Sequence, residues 1–256
     1  MSDVPAHVAI NRDAWTATNA AYTDAVAHEK WAKMQITWGV WHVPEGELRA
    51  LPPMEGKEVI ELGCGTGYFG AWLRRAGAAR VVGVDVTPAQ LDTARRCEAE
   101  FHLGLEFVEA SAEAVPLPDA SFDLAVSEYG ASIWCEPSAW IGEAARLLRR
   151  GGELVFLRTS TVAMLCMPDT GKVTTALQRP QRALSRIEWG EDDPGVEFHP
   201  SAGELLRILR QNGFTLSDII EVYAPDSAAN HPYYDHVPAQ WARQWPSEEI
   251  WRASRV

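Results

Sequence analysis

The chain has 256 residues, enough to bury one substantial core, so a single domain with inserted segments is expected. Its 23 basic and 35 acidic residues leave a net charge of −12, which gives a polyanionic duplex little to attract it. No basic leader followed by an apolar run opens the sequence and no uncharged apolar stretch could cross a bilayer, so neither nucleic acid nor membrane is an expected partner.

Residues 1–50 differ in texture from the rest. Asn11 is placed to cap a helix reaching about Met34, with Trp15, Tyr22, Val26 and Trp31 among its large side chains. The run Trp38-Gly39-Val40-Trp41-His42-Val43-Pro44 then breaks that period. The segment reads either as a helix packed on the domain or as a lid over a site, and 1–50 is assigned as a helical lid.

From Lys57 to Thr159, within a core segment assigned to 51–159, strands and helices alternate, which argues for a parallel sheet. Val59-Ile60-Glu61-Leu62 reads as a buried strand, followed by the turn Gly63-Cys64-Gly65-Thr66-Gly67 and a helix with Phe69, Trp72 and Leu73 on one face. Glycines at 63, 65 and 67 allow positive φ and a close backbone approach to a ligand. Gly65, Gly67 and Gly70 also fit G-x-G-x-x-G, the dinucleotide pattern. Glu61 argues against that reading, because a pyrophosphate on the turn would meet its carboxylate at short range. S-adenosylmethionine carries no phosphate, only an ammonium and a sulfonium that an acid favours. Val81-Val82-Gly83-Val84-Asp85-Val86 is a second strand, and Asp85 at its end can accept both ribose hydroxyls of an adenosine.

Together E-x-G-C-G-x-G and V-G-V-D resemble motifs I and II of the Rossmann-like, S-adenosylmethionine-dependent methyltransferases. The resemblance implies an α/β, doubly wound, mostly parallel seven-stranded sheet with an antiparallel last strand. It implies cofactor contacts from Glu61, Gly63, Cys64, Gly65, Gly67, Asp85 and Val86. Thr87-Pro88-Ala89-Gln90 reads as a capping box for the next helix, and Leu105 to Val108 as the third strand. The run from Glu109 to Asp123 matches the family's adenine loop, with Ser111 where an aspartate is usual, so Ala112 and Glu113 become the expected adenine contacts. Leu124 to Ser127 is the fourth strand, and Ser127 and Tyr22 complete the expected cofactor set. Pro137 opens a helix, Gly151-Gly152 closes it, and Glu153 to Thr159 is the fifth strand. The stretch from Ser127 to Gly152 is similar to the type-11, UbiE-like bacterial small-molecule group, with no amino-methyltransferase signature at the fourth strand.

Residues 160–199 carry no clear period and include Pro168, Gly171, Pro180 and Asp192-Asp193-Pro194-Gly195. They are assigned as an acceptor-side insertion. Residues 200–256 supply a helix capped by Ser201 and Glu204, a sixth strand from Phe214 to Tyr223, an aromatic loop, and a final antiparallel strand at Glu249 to Ala253. Ligands in such sheets sit beyond the carboxyl ends of the strands. Trp38, Trp41, Trp134, Trp189, Trp241, Trp245, Tyr129, Tyr233 and Tyr234 can reach that face, either lining an aromatic acceptor pocket or packing lid pieces together.

Methyl transfer from a sulfonium needs a base only for an acceptor that is protonated at neutral pH. His199, His231, His236, Tyr129 and His42 are the candidates, with His199 and Tyr129 taken first. His199 precedes the capped helix, whose positive end would keep its imidazole neutral. Four cysteines about thirty or more residues apart, without C-x-x-C, fit free thiols in a cytoplasm and no metal site. The expected activity is methyl transfer to a small aromatic or hydrophobic metabolite. A cofactor-binding scaffold and an NAD(P)-dependent oxidoreductase are the rivals, and the oligomeric state stays open.

Overall fold

The strand that anchors the molecule is β1, Glu58–Leu62, in which Val59, Ile60 and Leu62 are completely buried. Its side chains alternate between two apolar layers, Val59 on one side of the sheet and Ile60 and Leu62 on the other. Both faces being covered is why the strand reads as an unbroken apolar run rather than an alternating one. The computed structural model describes residues 5–190 and 194–256, so the Asp192-Asp193 pair lies outside the described residues.

Six further strands join it: β2 Arg80–Asp85, β3 Glu106–Glu109, β4 Phe122–Glu128, β5 Leu148–Thr159, β6 Phe214–Val222 and β7 Glu248–Arg255. The sheet order is β6-β7-β5-β4-β1-β2-β3. β7 runs antiparallel to both β5 and β6, and the other pairs are parallel. This is the expected doubly wound sheet with an antiparallel last strand. Strand order reverses between β1 and β4, which leaves a crevice beyond their carboxyl ends. β5 starts at Leu148, earlier than the sequence indicates, because a register shift opposite Phe122 and Leu124 absorbs the residues before Glu153.

The N-terminal segment departs from expectation. Its helix begins at Ala6 and ends at Ala32, as α1 Ala6–Thr18, a π-helical turn Asn19–Thr23, and α2 Asp24–Ala32. Asn11 is not a cap. It lies buried inside α1, where its amide donates to the carbonyls of Trp134 and Val196 and accepts the Val196 N–H at 2.7 Å. α2 is fastened to the glycine turn and to the helix after it: the indole of Trp31 donates to the Thr66 carbonyl at 2.7 Å, and that of Trp72 to the Lys30 carbonyl at 2.8 Å.

Helix α3, Tyr68–Arg75, follows the glycine turn, and α4, Pro88–Phe101, follows β2. Thr87 makes no side-chain cap, so the first half of that capping box fails. The second capping box forms, with Ser201 Oγ accepting the Glu204 N–H at the start of the helix Ala202–Gln211. The 160–199 stretch is more ordered than its sequence suggests. It holds a helix at Thr161–Cys166 capped by Ser160, and a two-residue hairpin pairing Ile187–Glu188 with Val196–Glu197.

Candidate active site

The turn after β1 is built by backbone geometry. Gly63, Gly65 and Gly67 take φ of +74°, +53° and +76°. At Gly63 a β-carbon would lie 2.6 Å from the Ala131 nitrogen and the Gly130 Cα, so only glycine lets β1 and the start of the helix after β4 meet. The N–H groups of Gly63 and Cys64 both donate to the Val84 carbonyl, tying the turn to the end of β2.

Asp85 closes this arrangement. Its Oδ2 accepts the Gly65 N–H at 2.8 Å and its Oδ1 the Thr87 N–H at 2.8 Å. Burial pushes its pKa up, against the pull of those two donors. Glu61 sits on the Val59 face of β1 and accepts the Gly70 N–H at 2.9 Å. Burial, then the charges of Glu128 and Asp85, push the Glu61 pKa well above the usual carboxylate range. Glu128, at the end of β4, accepts the Gly39 N–H at 3.1 Å and the Tyr68 hydroxyl at 2.6 Å.

These three carboxylates line a cavity of about 280 Å³ together with Gly63, Cys64, Gly65, Val86, Ser111 and Ala112. A buried carboxylate whose pKa is pushed up by two neighbouring carboxylates, as that of Glu61 is, makes a site that a cation relieves. The residues present therefore fit S-adenosylmethionine, with its ammonium and sulfonium, and oppose a pyrophosphate.

Of the residues singled out from sequence, Glu61, Gly63, Cys64, Gly65, Asp85, Val86, Ala112 and Tyr129 line this cavity. Gly67 does not, since its α-carbon faces Phe107 and Trp31, and it acts in shaping the turn. Ser127 is fully buried and spends its hydroxyl on the Leu62 carbonyl and the Ser132 N–H. Glu113 is held away by His7 Nε2 at 2.7 Å and by the Glu136 N–H. Tyr22 lines a second, adjoining cavity, where it stacks on Tyr233 with ring centroids 4.2 Å apart. It belongs to the outer mouth, not to the glycine turn.

The two catalytic candidates are placed differently. His199 is 1% exposed and absent from the cavity wall. Its Nε2 meets Glu197 Oε2 at 2.8 Å and its N–H donates to the Leu184 carbonyl. Burial, not a helix terminus, lowers its pKa, and it is Glu197 that reaches the cavity. Tyr129 does face the cavity, on a backbone with φ of +60°, but its hydroxyl donates to Glu248 and burial raises its pKa well above the usual phenol value. At neutral pH it is a donor, not a base.

The sequence also under-selected. Of the six tryptophans placed near the active face only Trp134 lines the cavity, whereas Trp38 packs on Phe69 and Trp241 on Trp245. Trp15, edge-on to Trp134, was missed as a wall residue. Val8, Asn11 and Trp15 share one helical face by spacing, and that stripe was the available signal. Lys30, Tyr68 and Gln90 are further cavity residues with no motif to mark them, whereas the base candidates His42, His231 and His236 do line the cavity.

Residues 60–156 match the family model described as a methyltransferase domain, type 11. Over 173 residues the chain is 33% identical to a fatty-acid O-methyltransferase of Mycolicibacterium smegmatis, covering 67% of this chain and 57% of that one. Over 102 residues it is 38% identical to a demethylmenaquinone methyltransferase of Thermus thermophilus, covering 40% and 46%. The chain spans about half the length of the curated relatives it matches. An S-adenosylmethionine dependent methyltransferase structure from Mesorhizobium loti superposes with a TM-score of 0.65 at 25% identity, covering 85% of this chain and all of that one.

Fold and glycine-turn site thus define a class I, Rossmann-like methyltransferase domain whose indicated cofactor is S-adenosylmethionine. Within that class the match to the type-11 domain covers residues 60–156.

Proposed function

We propose that this protein transfers the methyl group of S-adenosylmethionine to a small acceptor with an apolar or aromatic body. The observation that carries the reading is the convergence of Glu61, Asp85 and Glu128 on one cavity beside the glycine turn. Asp85 is assigned to the ribose hydroxyls, Gly63 to Gly65 to the cofactor's close backbone contact, and Val86 and Ala112 to the flanks of the adenine. Glu61 is assigned to the positive end of the cofactor. The bound cofactor supplies an electrophilic methyl carbon, and the chain positions the acceptor against it.

Val8, Trp15, Ile133, Trp134 and Tyr234 give the cavity its apolar and aromatic wall, which supports a hydrophobic acceptor. Residues 6–44 contribute Trp15, Lys30 and His42 to that wall, which supports assigning them as the cover of the site. The four cysteines are unpaired, in keeping with a reducing cytoplasm. Tritium carried from labelled cofactor into a small-molecule extract is the direct test. Label in the extract supports the enzyme, and cofactor binding without label in any fraction supports a scaffold instead.

A further inference from the structure

We propose that the acceptor is a carboxylate, and that Lys30, with His42 and His231, holds its charge at the neck of the site. The proposal rests on the methyltransferase reading and adds the chemical class of the substrate.

A second cavity of about 450 Å³ adjoins the first. Val26, Lys30, Val40, His42 and His231 line both, so these five residues form the neck between them. Three of the five present nitrogen. Lys30 lays its Nζ 4.2 Å from the Tyr68 ring centroid and forms no ion pair among the described residues. Glu128, whose charge acts on Lys30, is already engaged by the Gly39 N–H and the Tyr68 hydroxyl. His231 Nδ1 accepts the N–H groups of Tyr233 and Tyr234, so the neutral ring carries its proton on Nε2, which lies 3.3 Å from the Tyr22 hydroxyl, an exchangeable partner at the mouth. His42 is fixed at the neck by a turn with φ of +52°.

The neck gathers basic nitrogens in a partly desolvated place, where burial first, then neighbouring basic groups, lower the pKa of Lys30, His42 and His231. Desolvation first, then Lys33, Lys30 and His231, push the His42 pKa down to about 4. Glu29 is the one carboxylate among the described residues lining the outer cavity. An anion at the neck would offset that desolvation by favouring the protonated forms of these groups, just as a cation relieves the acidic wall. The cavity is therefore polarised, with carboxylates at the strand ends and basic groups under the cover. A cationic cofactor and an anionic acceptor each meet the complementary side.

The chemistry agrees. His199 is buried and Tyr129 is a donor, and a carboxylate acceptor needs neither as a base. A lone pair on its oxygen forms the O–C bond while the bond from methyl carbon to sulfur breaks, the electron pair leaving on sulfur. No proton moves, and a methyl ester results.

The experiment is a calorimetric titration of the full chain, with and without saturating S-adenosylhomocysteine. The probes are hexanoate, decanoate and 3-phenylpropanoate, each against its primary amide. At least one acid should bind about tenfold tighter than its amide, the scale of a charge-assisted hydrogen bond. Lys30→Met should abolish the preference and Lys30→Arg should keep it. Amides equalling their acids in every pair, or a preference that survives Lys30→Met, would overturn the proposal, and the wild-type comparison decides even without variants. Failure of S-adenosylhomocysteine to bind would instead overturn the methyltransferase reading, while acid against amide in the unliganded protein still tests the neck.

Discussion

Asp85 and Gly65 join the two loops of the site through one hydrogen bond, 2.8 Å from the glycine N–H to Oδ2. The carboxylate thereby orders the glycine turn while keeping further lone pairs for a ligand hydroxyl. Asp85→Ala should weaken S-adenosylhomocysteine binding by roughly 1.5–3 kcal/mol, the range for hydrogen bonds to a charged group. Unchanged affinity by calorimetry would remove Asp85 from the ribose.

Two glycines of the turn should respond differently. At Gly65 an added β-carbon meets only the end of the Gln90 side chain, at 3.1 Å, so Gly65→Ala carries mainly the left-handed backbone cost of about 1–2 kcal/mol. Gly63→Ala drives its β-carbon into the backbone of Gly130 and Ala131, which side-chain rotation cannot relieve, and should cost more. Chemical denaturation of the two variants checks the order. Equal costs would mean the contact between the two loops yields freely.

Glu248 predicts a pH dependence. It is buried, accepts the Tyr129 hydroxyl and the Val40 N–H through Oε1, and leaves Oε2 without a partner. Burial raises its pKa to about 7, well above the value of an unfolded glutamate. The folded chain therefore keeps a proton that the unfolded chain releases. Its stability is greatest below the unfolded pKa and falls as pH rises through about 7. Glu248→Gln mimics the protonated form, so the gap in melting temperature between variant and wild type should widen in favour of the variant from pH 5 to pH 8. A constant gap would contradict the assignment.

His199 should prove structural. Its ring is enclosed and bonded to Glu197, so His199→Ala should lower the melting temperature yet change the rate of methyl transfer less than about fivefold, far short of losing a general base. A hundredfold loss in kcat with unchanged stability would restore it as the base.

The sheet was legible because its signals are local: buried runs such as Val59–Leu62, glycines where φ turns positive, and an acid closing β2. The acid wall was half legible, since Glu61 and Asp85 sit in motifs while Glu128 becomes a site residue only when β4 lies beside β1. What failed depends on distant partners. Asn11 looks like a cap, but its amide is claimed by Trp134 and Val196, 123 and 185 residues away. His199 was correctly set ahead of a capped helix, yet its depth is fixed by Leu184 and the hairpin strand holding Glu197. The Lys30, His42 and His231 neck draws on three separate segments, and no spacing in the chain announces it.

The space between the glycine turn and the acids Glu61, Asp85 and Glu128 should take a cationic adenosyl ligand. Parallel calorimetric titrations with S-adenosylmethionine and NADH test it most directly. Saturable one-to-one binding of S-adenosylmethionine is expected, weakened in Glu61→Gln, with no binding of NADH. Binding of NADH at equal or higher affinity would contradict it.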